Sequence, residues 1–235
     1  MKLKFIAKKQ EAEDVWSYIF EPDSPISWTA GQFLVYWLPH EDSDIRGKQR
    51  FFTISSASFE KDIMLTTRQV PPQRDPVANG ARASSFKKAL NEMKPGDTID
   101  AKGPDGDFTV LGPNKHFVFI AGGIGITPFR SIIADLAHKK LPLNITLLYA
   151  NSTDEFSFKD ELEKIANDNP NFKIHYIVSP KHIDENLVKE KVQNISGQIF
   201  YVSGPEKMVE ILSEMLIGMG ISEDHIKQDF FPGYN

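Results

Sequence analysis

Two segments of this 235-residue chain combine residue types that could do chemistry. In Ala121-Gly122-Gly123-Ile124-Gly125-Ile126-Thr127-Pro128, a glycine cluster follows the apolar run Phe117 to Ala121 and precedes a helical pattern. Glycine lets a backbone approach phosphate oxygens closely and adopt positive φ. A helix start adds unpaired N–H groups and the positive end of a dipole. Pro128 suits a first helical turn, where its missing donor costs little, and Thr127 can cap it. The segment is neither G-x-G-x-x-G nor a P-loop with its Lys-Ser/Thr. Alone, it leaves open a tight strand-to-helix turn that binds nothing. A second turn of the same kind, Tyr201-Val202-Ser203-Gly204-Pro205, ends another apolar strand. Strand ends of this sort line the ligand crevice of an open α/β sheet, so two in one domain strengthen the nucleotide reading.

The other segment is Arg50-Phe51-Phe52-Thr53-Ile54-Ser55-Ser56. Strand alternation puts Arg50, Phe52 and Ile54 on one face and Phe51, Thr53 and Ser55 on the other. An aromatic ring can stack on a flat heterocycle, a guanidinium fork can grip a pyrophosphate, and a hydroxyl can reach a ring nitrogen. On chemistry alone the plainer reading is favoured, a hydrophobic strand with polar ends.

The elements that must position these segments fall into two kinds. Up to about residue 111 the chain reads as short strands: Lys2 to Lys8, Val15 to Phe20, Gln32 to Leu38, Phe51 to Ser55, Ile63 to Val70 and Thr98 to Ala101. Polar and glycine- or proline-containing turns separate them, and one helical stretch, Ser84 to Met93, interrupts them. This pattern predicts an antiparallel sandwich or barrel. Pro71 to Gly80 reads as a long loop. From about residue 112 strands and helices alternate: strands at Phe117 to Ala121, Ile145 to Tyr149, Lys173 to Val178 and Ile199 to Val202, helices at Pro128 to His138, Lys159 to Asn167, Glu185 to Val192 and Glu206 to Met219. That alternation predicts a doubly wound parallel sheet. The expected domains are therefore 1–111 and 112–235.

Composition removes other chemistries. The net charge of -5 argues against general nucleic-acid binding. With no cysteine there is no disulfide, no thiol nucleophile and no cysteine-ligated cluster within this sequence. The six histidines show no ligand spacing, so no metal site is expected. No stretch approaches the roughly 18 apolar residues of a membrane helix, and Met1 to Gln10 lacks the apolar run of a signal peptide. The expectation is a cytoplasmic chain without membrane insertion.

Arg-x-Phe/Tyr-Thr/Ser resembles the flavin-binding motif of the ferredoxin–NADP reductase superfamily, and further landmarks follow in that family's order. Gly31-Gln32-Phe33 resembles the turn before the motif. Ser84-Ser85 with Pro95-Gly96-Asp97 resembles the phosphate-facing turn and short helix, and Gly103 to Phe108 the glycine-aromatic hairpin. Ala121 to Pro128 and Ser203-Gly204-Pro205 resemble the nicotinamide-nucleotide motifs. Asp229-Phe230-Phe231-Pro232-Gly233-Tyr234 resembles the acidic-x-Phe-x-Gly-Tyr ending. The resemblance spans essentially the whole chain. It implies a six-stranded antiparallel FAD-binding β-barrel followed by a nicotinamide-nucleotide α/β domain, without an iron–sulfur domain.

Roles follow from the resemblance. Arg50 contacts the flavin phosphates, Phe51 belongs to the cofactor-binding set, Phe52 stacks along the isoalloxazine or ribityl region, and Thr53 hydrogen-bonds near the reactive flavin nitrogen. Thr67, Arg68, Gln69, Ser84 and Ser85 hold ribityl and pyrophosphate. Gly122, Gly123, Gly125, Thr127, Pro128, Gly204 and Pro205 bind the nicotinamide nucleotide. Ser203 and Asp229 stand beside the reacting ring, and Phe231 lies near the flavin, unless the terminal aromatics simply pack as an apolar tail. Phe52 replaces the common tyrosine, Ser203 the common cysteine and Asp229 the common glutamate. The implied cofactor is FAD, with FMN second, and the implied substrate is NADH or NADPH. The acidic stretch Asn151 to Glu155 leans toward NADH. The implied acceptor is a separate ferredoxin, flavodoxin or oxygenase component; the competing function is a non-catalytic flavin- or nucleotide-binding subunit of a larger complex.

Overall fold

The computed structural model describes residues 1–41, 43–69, 84–110, 112 and 115–231, the last by its backbone alone. The loop expected over 71–80 and the aromatic Tyr234 lie outside the described residues. The chain divides into two compact units between Asp107 and Phe108.

The first unit is a six-stranded antiparallel sheet built from β1 (Lys2–Ala12), β2 (Val15–Pro22), β3 (Phe33–Trp37), β4 (Gln49–Thr53), β5 (Ile63–Arg68) and β6 (Thr98–Asp105), with a helix, α1 (Ser85–Glu92), before β6. The order is β4-β3-β6-β1-β2-β5. Alternation decides the inside: Leu3 and Phe5, Tyr18 and Phe20, Leu34 and Tyr36, Ile63 and Leu65 are buried, and their neighbours on β1 are exposed. Each buried aromatic or aliphatic side chain contributes about 1.5–3 kcal/mol. Phe86 and Leu90, one helical turn apart, plug α1 into this core.

The sheet curls until its two outer strands meet. At Thr53 the chain stops pairing with β3; Ile54 then bridges Leu65 of β5, and the Ser55 N–H donates to the Met64 carbonyl at 2.7 Å. The Arg50–Thr53 segment therefore leads directly into the seam of the half-barrel, which Ile54 and Ser55 make.

The second unit is a five-stranded, wholly parallel sheet: β7 (Phe117–Gly122), β8 (Ile145–Asn151), β9 (Phe172–Val178), β10 (Ile199–Pro205) and β11 (Ile226–Phe231), in the order β11-β10-β7-β8-β9. Its helices are α2 (Ile126–His138), α3 (Lys159–Asp168), α4 (Glu185–Lys191) and α5 (Glu206–Gly218). β7 is central and buried at every position, as a strand covered on both faces must be. On one face Phe119 stacks on Phe129 of α2 with ring centres 4.6 Å apart. On the other, Val118, Ile120, Phe200 and Val202 pack with Val188 of α4 and Val209, Leu212 and Leu216 of α5. A six-stranded antiparallel sheet followed by a doubly wound parallel sheet is the architecture expected from the strand and helix periods. The fifth parallel strand, β11, departs from the sequence pattern, which predicts only an aromatic tail there.

Candidate functional site

The strand order reverses between β7 and β10, and an open α/β sheet binds ligands at such a switch point, outside the carboxyl ends of its strands. Both glycine-bearing turns emerge there. Gly122 ends β7 and opens a short 3-10 turn, Gly123–Gly125, that feeds α2; Gly204 lies one residue before the end of β10.

One of these glycines, Gly125, is required by the chain itself. A Cβ on Gly125 would lie 2.1 Å from the Ser203 carbonyl oxygen and 2.7 Å from the Gly204 nitrogen. Its own φ is -60°, so close approach, not backbone conformation, demands glycine. Gly122 and Gly204 share the opposite face, where a Cβ on either would meet the Met208 side chain at 2.3 and 2.6 Å. Only Gly123 uses the left-handed region, with φ 52°. Pro128 lies in the first turn of α2, as expected. Thr127 does not cap: its hydroxyl donates to the Ile124 carbonyl at 3.1 Å, because the chain enters α2 directly from a 3-10 turn and Gly125 already occupies the cap position.

Strand register lays Ala121, Ser203 and Asp229 in one row across β7, β10 and β11. The Ser203 hydroxyl is buried and donates to Asp229 Oδ2 at 3.3 Å. Burial pushes the Asp229 carboxyl up to about 6, against the opposing effect of the Ser203 hydrogen bond. The register places Pro205 opposite Phe231, whose side chain is outside the described atoms; Phe230 is half-exposed.

In the barrel unit, Arg50 and Phe52 share the inward face with Tyr36 and Leu34, their register partners. Phe52 is partly buried, 5.9 Å from the Tyr36 ring and 5.8 Å from Phe86. Phe51 faces outward, 62% exposed, edge-on to Phe33 at 5.7 Å. Thr53 is buried at the seam. Ser84 caps α1 by accepting from the Lys87 N–H, and Ser85 is the first helical residue. Thr67 is fully buried on β5. Arg68 pairs with Asp14 at 3.3 Å. The Gln69 amide donates to the Tyr18 hydroxyl and the Lys87 carbonyl, at 2.7 and 3.1 Å. The structure thus gathers Arg50, Ser84 and Ser85 at one end of α1 and ties Arg68 and Gln69 to its flank through Lys87.

One residue that the sequence motifs do not include organises that cluster. The Asp44 carboxylate accepts from Arg50 Nη2 through both oxygens, at 2.8 and 3.0 Å, from the Arg46 backbone and side chain, and from the Ser85 backbone N–H at 3.0 Å. Burial opposes its ionisation, but the hydrogen bonds from Arg46 and Ser85 and the Arg50 charge outweigh it and hold the carboxyl well below the ordinary range. The usable signal is the Asp44-Ile45-Arg46-Gly47 turn, where Asp44 accepts from the N–H two residues on and Gly47 has φ 67°.

Residues 119–214 match the family described as oxidoreductase NAD-binding domain. The chain is 29% identical over 202 residues to a subunit of the Na(+)-translocating NADH-quinone reductase of Klebsiella pneumoniae, covering 78% of this chain and 49% of that protein. The chain thus spans about half the length of the curated relatives it matches. Its fold resembles the FAD/NAD-binding domain of nitric oxide dioxygenase from Vibrio cholerae, with a TM-score of 0.82, 20% identity and 98% of both chains covered. It also resembles the ferredoxin–NADP+ reductase of Plasmodium falciparum, at 0.80 and 17%, covering 98% of this chain and 95% of that one. A curled antiparallel sheet ahead of a switch-point crevice defines a two-unit, oxidoreductase-type nucleotide-binding fold. The fold of the whole chain is that of the ferredoxin–NADP reductase and its structural neighbours.

The crevice packing predicts a contrast between two glycines. Gly125→Ala drives a methyl into the β10 backbone and lowers unfolding free energy by about 3 kcal/mol or more, whereas Gly122→Ala meets the flexible Met208 and costs about 1 kcal/mol; chemical denaturation of the two variants reads the difference. Asp229 gives a pH signature. Its carboxyl titrates at about 6 when folded and near 3.8 when unfolded, so between those values the folded chain holds a proton that the unfolded chain has released. Stability from this group therefore falls as pH rises through that window and is level above it. Asp229→Asn removes that slope and raises stability at pH 7 by about 1–3 kcal/mol, measured by denaturation across pH 4 to 7.

Proposed function

We propose that this chain is an NAD(P)H-oxidising flavoprotein module that takes hydride from a nicotinamide nucleotide onto bound flavin and delivers the electrons to a separate acceptor. The observation that carries the reading is the switch-point row, where a buried serine hydroxyl meets a carboxyl poised near neutrality, in a chain whose Arg50–Thr53 motif leads into the barrel seam. Bound flavin and nicotinamide supply the hydride chemistry; the protein supplies binding, orientation and electrostatics.

The barrel residues fit a flavin phosphate group. Arg50 Nε is buried and, among the described residues, without a hydrogen-bond partner, beside the first turn of α1. In this reading Arg50, Ser84 and Ser85 hold the phosphates, Phe52 supports the ring system from the core side, and outward Phe51 lies along its exposed edge. Thr53 offers its hydroxyl toward the reactive nitrogen, while Thr67, Arg68 and Gln69 bound the ribityl chain. FAD is favoured over FMN because the whole chain shares its fold with an FAD/NAD-binding domain.

In the second unit Gly123 and the start of α2, with Thr127 and Pro128, receive the nucleotide phosphates, and Gly122, Gly125, Gly204 and Pro205 keep the crevice open by close packing. Ser203 and Asp229 border the nicotinamide. Asp229 holds or releases a proton at Oδ2, and the Ser203 hydroxyl orients it. NADH is favoured over NADPH. The turn after β8 carries the exposed Asp154 and Glu155, and Lys159, the nearest candidate for a 2′-phosphate, lies over the Tyr176 ring and 4.0 Å from Glu163. The curated relatives, by name, use NADH.

A ferredoxin, a flavodoxin or an oxygenase component fits the acceptor role. A second reading, a non-catalytic flavin- or nucleotide-binding subunit of a larger complex, is favoured by one observation: the relatives are subunits, and the chain spans about half of each. Among the described residues no helix is long and apolar enough to cross a membrane.

Purified protein should carry a flavin absorption spectrum, and anaerobic NADH should abolish the oxidised-flavin bands at lower concentration than NADPH. Oxidised flavin that survives excess of both nucleotides contradicts the reductase reading and leaves the non-catalytic one.

A further inference from the structure

Arg50 has five N–H donors in a rigid plane. Nη1 donates to the carbonyls of Arg46, Gly47 and Gln49, at 2.9, 2.9 and 2.6 Å. Nη2 donates to the two oxygens of Asp44. Only Nε remains, buried and without a partner among the described residues. The guanidinium is therefore fixed at four of its five donors, and one orphaned donor is left to face whatever anion arrives.

The same carboxylate fixes a second donor group. Asp44 Oδ2 accepts from the Ser85 N–H in the first turn of α1, and the Asp44 N–H donates to Ser85 Oγ at 2.9 Å. Ser85 Oγ also meets His40 Nε2 at 2.9 Å, while His40 Nδ1 donates to the Leu38 carbonyl at 2.8 Å. Ser85 is thereby tied to the end of β3 as well. Asp44 joins three pieces that sequence separates, the loop after β3, the seam strand β4 and the start of α1. The local charge stays favourable to an anion, because Arg46 and Arg50 both pair with this one carboxylate.

We propose that Asp44 is the positioning residue of the flavin-phosphate seat: by gripping Arg50 and the first turn of α1 together, it sets the Arg50 fork so that Nε presents to the flavin phosphates. This deepens the assignment of Arg50 to the flavin phosphates and rests on it. An ionised carboxylate, accepting from Arg50 Nη2 through both oxygens, does this where a neutral amide cannot, since charge-assisted bonds to guanidinium are about twice as strong as neutral ones. Without the grip, the guanidinium follows its three carbonyls or solvent, and α1 loses its link to β4.

The test is flavin binding by the full-length apoprotein, followed by quenching of flavin fluorescence, with FAD and with riboflavin, which has no phosphate. Asp44→Asn weakens FAD by about tenfold or more, the scale of one strong hydrogen bond, and leaves riboflavin within about twofold. Asp44→Glu keeps the charge but displaces it by one methylene, and gives an intermediate loss for FAD; it serves as the probe should the asparagine variant fail to fold. In an Arg50→Gln background, Asp44→Asn adds no further loss, because its effect passes through Arg50. Tighter FAD binding by Asp44→Asn overturns the proposal, since the carboxylate would then be competing for the seat. Equal weakening of FAD and riboflavin also overturns it, as a general structural role would produce. If Arg50→Gln alone leaves FAD affinity unchanged, the phosphate assignment itself fails, and the proposal with it.

Discussion

The close approach of two backbones at the switch point is the constraint on which the nucleotide unit depends. Gly125 lies against the Ser203–Gly204 backbone with no space for one methyl group. That contact fixes where α2 begins relative to the end of β10. It also aligns Ala121, Ser203 and Asp229 in a single row across three parallel strands. The glycines of such a turn are usually discussed in terms of the ligand's phosphates. Here Gly125 is needed first by the protein, whereas Gly122 and Gly204 face the flexible end of Met208.

The barrel unit solves a comparable problem with charge. A curled six-stranded sheet has two edge strands, and here they meet around Ile54 and Leu65. An arginine at that seam would swing freely on a long side chain. Asp44 and three carbonyls remove that freedom and hold the side chain partly buried. The α1 helix is anchored in its first turn, by Asp44 at Ser85 and at Lys87, whose carbonyl accepts from Gln69 and whose Nζ donates to the Arg68 carbonyl.

Much of this was legible in the sequence because the signals were local and periodic. Alternation in β1 to β6 and unbroken apolar runs in β7 and β8 report directly whether one or both faces are covered. The order of the short motifs pointed to the two-unit fold that the structure has. Three features were not legible. β11 reads Ile-Lys-Gln-Asp-Phe-Phe, without alternation, because an edge strand needs only one neighbour, and most of its residues are exposed. The close packing of Gly125 is a contact across some eighty residues of chain, invisible to any local pattern. Asp44 sits in a polar stretch that reads as turn punctuation, and its partners come from three separate elements. The neutral-range carboxyl of Asp229 likewise depends on burial that the third dimension alone creates.

The fold, the NAD-binding match and the relatives agree on nicotinamide-linked oxidoreductase chemistry. The central claim is that hydride passes from nicotinamide to flavin within this chain. Single-turnover, anaerobic stopped-flow mixing of the flavin-loaded protein with NADH, unlabelled or deuterated at the transferring carbon position, tests it most directly. Hydride transfer predicts loss of oxidised-flavin absorbance in one turnover, slower with deuterium. Flavin that remains oxidised with either form would contradict it.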